Sequence, residues 1–177
     1  QEFWHLAEGV LSCLDSSAGK RARVTLDEWT IASSPNMVTL GLTGLVMIAD
    51  DTALVRSRDS LSVIKKSEPQ MSSRFVRAVF AYRNPNPEGV RALGELATEA
   101  DAGLTGLQRN AVRALRAIHT KEALPYLAKL LDSDNPEIRG QAVAGFTCFV
   151  NNWPIQTPSA VVGMAFTKPV GDAPYRT

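Results

Sequence analysis

Cysteine and histidine are scarce in this 177-residue chain, with two of each, and their placing excludes the usual metal chemistry. Cys13 and Cys148 lie at opposite ends, with no CxxC pair and no cysteine–histidine cluster of zinc-ligand spacing. Long apolar runs are also missing. The longest, Leu40 to Ala49, is broken by Thr43 and stops at Asp50 and Asp51, well short of the ~18 residues that a membrane helix needs, so the chain reads as soluble. Catalytic signatures are absent too: no GxGxxG, GxxxxGK[ST], GxSxG or HExxH occurs. Alternation of β-branched and polar residues is nearly lacking, and only Arg21–Thr25 and Pro158–Thr167 read as weak strand candidates.

No charge of one sign dominates. The formal net of +1 gives no global attraction to nucleic acid or anionic lipid. The distribution is uneven, because Arg56 to Lys129 holds 13 basic and 7 acidic residues while the flanks are acidic. With 45% hydrophobic residues, the length suits one domain with a sizeable core and a tail. Residue 1 is Gln, so the chain reads as an excised or processed piece; a cytoplasmic and an exported location both stay open.

What is present is a repeat. Ala111–Ile118 carries apolar residues at the spacing of a helix buried along one side, and after His119, Thr120 and Lys121 a second pattern follows in Ala123, Leu124, Leu127, Leu130 and Leu131. Thirty-six positions earlier, Phe75–Tyr82 reproduces the first pattern, with Val90, Leu93, Leu96 and Ala97 as its partner. Seventy positions earlier, Gly41–Ile48 does so again, with Ala53 and Leu54 following. Thirty-one positions later, Ala142–Phe149 supplies a fourth first helix without an evident second one. Ser34-Pro35, Asn86-Pro87 and Asn135-Pro136 each place a capping side chain before a proline at a first helical position. Asp51 and Thr120 are expected to cap second helices.

A hairpin with one apolar side cannot bury it alone, and stacked hairpins cover one another. The expected fold is therefore all-α, a solenoid of about three and a half hairpins. Small residues at i and i+3 (Gly41, Gly44, Ala78, Ala81, Ala111, Ala114, Ala142 and Gly145) let helix axes approach closely. Linear stacking also separates Cys13 from Cys148 by far more than a disulfide spans, so two free thiols are expected. Residues 1–33 are read as an N-terminal capping region, with an amphipathic helix at 3–14 and a further turn over Asp27–Ala32. Residues 34–149 are read as the repeat stack, and 150–177, with four prolines, as an extended tail that packs on its own solenoid.

The run AVRALRAI, followed by EALPYLAKLLDSDNPEIRGQAVAGF, closely resembles HEAT repeats, in the short form also seen in phycobilisome-lyase-like HEAT proteins. The likeness is closest over Asn110–Phe149, looser over Met71–Ala100 and Asn36–Ser67, and does not extend to 1–33 or 150–177. It implies a right-handed α-α superhelix of the armadillo type. It also implies an inter-repeat ladder in which an aspartate of the turn meets an arginine of the next first helix, here Asp132 or Asp134 with Arg139. The matching places one repeat earlier hold Gly103 and Gln108, so the ladder has a single rung and packing is expected to hold the stack.

By the same resemblance, the second helices line a concave groove that binds a protein or peptide. The positions off their apolar stripe, Arg56, Arg91, Glu95, Tyr126 and Lys129, are the candidate contact residues. A non-catalytic scaffold without cofactor or metal is the leading reading. His5 and His119 read as structural, and the carboxylates Asp50-Asp51 and Asp132-Asp134 as turn residues. The alternatives are a nucleic-acid binder using the basic middle, or a lyase-type protein acting on a chromophore-bearing partner.

Overall fold

The computed structural model describes residues 17–99 and 102–150, with side chains from 22 to 99 and from 103 onwards. Nine α-helices and no strand occur among them: α1 Ser17–Thr30, α2 Pro35–Met47, α3 Asp51–Asp59, α4 Leu61–Ile64, α5 Pro69–Ala81, α6 Pro87–Glu99, α7 Thr105–Ile118, α8 Leu124–Leu130 and α9 Pro136–Val150. The helix expected at 3–14, His5, Cys13 and the tail lie outside the described residues.

The stack follows chain order. First helices α2, α5, α7 and α9 form one row, each packed on the next, and second helices α3, α6 and α8 form the other. One continuous apolar cluster runs from Leu26 through Phe75, Leu93 and Leu115 to Ala142. The fold is an all-α solenoid. α2 is buried from Val38 to Val46 without a break, because α1, α3, α4 and α5 all pack on it. That is why its sequence is apolar all round rather than striped.

Two expectations near the N-terminal end change. Arg21–Thr25, a weak strand candidate, is helical, and α1 starts ten residues before the turn expected at Asp27. Its apolar stripe is only Ala22, Leu26 and Trp29, thinned by Lys20, Arg21 and Arg23, so periodicity alone hides it. Packing supplies the missing preference: Leu26 is buried and Trp29 is packed against the core. Gly41 lets the two backbones meet, since a Cβ there would stand 2.7 Å from the Leu26 carbonyl oxygen.

Capping agrees in two of the three Pro-marked starts. The Asn86 and Asn135 side-chain oxygens accept from the Glu88 and Glu137 amides, each at 2.9 Å. Ser34 makes no such bond. Instead Asn36 links successive first helices, accepting from the Glu68 amide at 2.8 Å and donating to its carboxylate at 3.0 Å. The cap of α3 is Asp50 rather than Asp51, accepting from the Thr52 amide at 3.0 Å. Thr120 precedes a short 3-10 turn at Lys121–Ala123 and makes no capping bond. His119 adopts φ 60°, the left-handed geometry that ends α7, and its ring meets Phe149 edge-on at 5.4 Å.

Candidate interaction surface

The second helices carry the polar side of the stack because their apolar stripes face inward against the first helices, leaving the remaining positions outward. Arg56 is half-exposed on α3 and reaches back to α1, donating to Asp27 at 2.6 Å and to the Thr30 hydroxyl at 3.2 Å. Two residues on, Arg58 reaches forward to Glu95 of α6 at 2.6 Å, and also bonds Asp59 at 3.2 Å. That Asp59 hydrogen bond is the main cause of the raised Arg58 pKa. On α6, Arg91 pairs with Glu88 at 2.7 Å. The Tyr126 ring of α8 lies directly over Gly94, where a Cβ would come within 2.3 Å of the ring. Burial raises the Tyr126 phenol, Glu95 adds to the shift, and Arg91 works against it.

Arg91, Glu95 and Tyr126 therefore share one neighbourhood across α6 and α8, while Arg56 belongs to a different seam, between α1 and α3. Lys129 stands exposed on α8, one turn after Tyr126. The sequence placed all five on second helices; it did not show that three arginines on this side are already held by carboxylates.

The expected aspartate–arginine rung takes another form. Arg139 donates to the backbone carbonyls of Ser133 at 2.7 Å and Asp134 at 3.0 Å, closing its own turn rather than meeting an Asp132 or Asp134 carboxylate. Other polar ties join neighbouring repeats and add to the packing. Tyr82 of the segment after α5 donates to the Asp51 carboxylate, which burial and that bond answer by raising the phenol pKa. Asn110 donates to the Val76 carbonyl at 3.0 Å. Arg109 and Arg113 share Glu137 at 2.9 and 3.4 Å, and Arg116 donates to Gln141 at 2.5 Å.

Residues 59–146 match the family model described as HEAT repeats. The chain is a HEAT-repeat protein. No curated protein and no solved structure gives a significant match. In this HEAT-repeat protein the matched stretch runs from the end of α3 into α9, and it leaves α1, α2 and most of α3 to be recognised by packing alone.

Among the described residues, no group of three His, Cys, Asp or Glu side chains is placed to hold a metal ion, and no helix is long and apolar enough to cross a membrane. Part of the basic excess of the middle segment is already paired or buried. Arg56, Arg58, Arg91, Arg109 and Arg113 each face a carboxylate, and Arg116 is buried.

Among the described residues an open cleft of about 700 Å³ lies between α1 and α3, and nothing in the sequence pattern announced it. Arg56 stands on its rim and Leu42 lies at its floor. Val24 of α1 and Ile31, just past its end, also line it, and both are exposed. Their seven-residue spacing, off the Ala22–Leu26–Trp29 stripe, was the available signal; two positions alone read as scatter.

Proposed function

We propose that this chain is a non-catalytic interaction scaffold that holds a protein or peptide along its second-helix face, the concave side of such a stack. HEAT repeats generally serve as protein-interaction scaffolds. The observation that supports the finer reading is the convergence of Arg91, Glu95 and Tyr126 across α6 and α8, where a rigid aromatic ring fixed over Gly94 sits between a cation and an anion. Tyr and Arg, with Trp, are the side chains enriched at binding hot spots. The pairing of the middle arginines with carboxylates argues against the nucleic-acid reading, since phosphate contacts need cations that are free to make them.

Site-specific photo-cross-linking tests the assignment. A benzophenone side chain is placed at Lys129 or Arg91 on the second-helix side, and at Arg77 on the first-helix side, in the protein incubated with cell extract. Cross-links to one partner from Lys129 and Arg91 but not from Arg77 are expected. The same partner captured from Arg77 alone overturns the reading.

A further inference from the structure

Resting on the scaffold reading, we propose that the cleft between α1 and α3 is a specific subsite for a basic peptide that inserts apolar side chains between flanking lysines or arginines. The cleft is open on one side and about 700 Å³ in volume, within the range of roughly 300–1,000 Å³ that binding pockets occupy. Its lining combines three aliphatic side chains, Val24, Ile31 and Leu42, with Thr30, Ser60 and a charged rim. Leu42 is 0% exposed at the floor, whereas Val24 and Ile31 on the wall are 59% and 85% exposed, an unusual condition for two large aliphatic side chains at one concavity.

Its rim has a sign. Asp27, Glu28 and Asp59 line it with one cation, Arg56, which is committed to Asp27 and Thr30, and Arg23 of the preceding turn, held by Asp50 at 2.5 Å, comes within 4.0 Å of Asp27. Asp59 is answered by Arg58, but the Arg58 guanidinium also spans to Glu95, away from the cleft. Glu28 faces no cation among the described residues. An incoming chain with positive charge beside its apolar anchors therefore meets net negative potential at the mouth and an uncovered aliphatic surface within. The same sign disfavours the nearest apolar stretch of this chain as the occupant. Residues 1–16 carry Glu2, Glu8 and Asp15 and no lysine or arginine.

The test is a fluorescence-anisotropy titration of the whole chain with three labelled synthetic peptides. One alternates leucines with lysines, the second has glutamate for every lysine, and the third has serine for every leucine. Saturable binding of the leucine–lysine peptide, at least about tenfold tighter than either control and weakening with salt, is expected. Ile31→Ser and Glu28→Lys, both at exposed positions, should each weaken it by about tenfold or more, while Val143→Ser, an exposed aliphatic position on α9, should not. Equal binding of the glutamate peptide, no saturable binding, or an Ile31→Ser variant that binds like the parent overturns the proposal. A cleft filled by residues 3–14 gives no binding and overturns it as well. If the peptide fails while cross-links at Lys129 and Arg91 persist, the cleft assignment falls and the scaffold reading stands.

Discussion

Arg116 and Gln141 meet at 2.5 Å in the seam between α7 and α9, a buried guanidinium answered by a neutral amide and no carboxylate. Burial holds the Arg116 pKa below its ordinary value, and its Nε has no hydrogen-bond partner. A buried charge so poorly answered is replaceable by an apolar chain of similar shape at little cost, but not separable from its one partner. Arg116→Met should leave urea stability unchanged or raise it, whereas Gln141→Leu should lower it by about 1–3 kcal/mol. A large loss in Arg116→Met would show that the guanidinium holds the seam.

Gly41 is expected to resist even alanine. The added methyl would press on the Leu26 carbonyl and stand 3.0 Å from the Thr30 amide, both backbone atoms that cannot swing aside. Alanine's helix preference offsets this by only about 1 kcal/mol. Gly41→Ala should therefore lower the thermal midpoint, with a net cost on the order of 1–2 kcal/mol. A midpoint at or above the parent's would mean that α1 moves away freely.

Ala114, fully buried in the first-helix row, gives the matching experiment at the centre of the stack. Ala114→Leu overpacks that row and should cost on the order of 1–3 kcal/mol in chemical denaturation. A variant melting with the parent would contradict the close approach of α7 to its neighbours.

The Tyr82–Asp51 hydrogen bond carries a pH signature. The Tyr82 phenol is raised above its ordinary value by burial first and by Asp51 second. A phenol raised in the folded state stabilises fully below its unfolded pKa of about 10, and that contribution fades as pH rises beyond it. Tyr82→Phe should lose about 1.5–3 kcal/mol at neutral pH, because Asp51 loses a charged-group hydrogen bond. The gap between parent and variant should narrow in melts above about pH 10. A constant gap would show that the bond does not set it.

Cys148 is buried, and burial raises its thiol, with Arg116 pulling the other way. A raised thiol holds less thiolate at neutral pH and reacts slowly. Folded protein should label at Cys148 only on the timescale of unfolding, and protein denatured without reductant should titrate two thiols. Immediate labelling of Cys148 would place it at the surface.

The repeat was legible because α5, α7 and their partners bury one clean stripe each, and stripes are a property of sequence alone. α1 was not, since Leu26 and Trp29 make too short a stripe to outweigh Lys20, Arg21 and Arg23; only the facing Gly41 backbone makes that helix worth forming. The Asn86 and Asn135 caps could be read from Asn-Pro, whereas choosing Asp50 over Asp51 required knowing that Asp51 is taken by Tyr82, thirty-one positions away. The candidate surface divided in the same manner. Arg91, Glu95 and Tyr126 were visible as outward positions, but their meeting depends on how α8 lies across Gly94. The cleft beside Ile31 depends on the placing of α1, the helix that periodicity concealed.

Each repeat rests only on the one before it, and the joint between the first and second is closed by Tyr82 on Asp51, Arg58 on Glu95 and Asn36 on Glu68. With no helix bridging distant hairpins among the described residues, a small rotation at that joint would be passed on to α7, α8 and α9, as a lever arm carries the angle of its pivot. The separation of the α1–α3 cleft from the Tyr126 ring is thereby set at that one joint, by its packed helices and the three side-chain contacts that flank them.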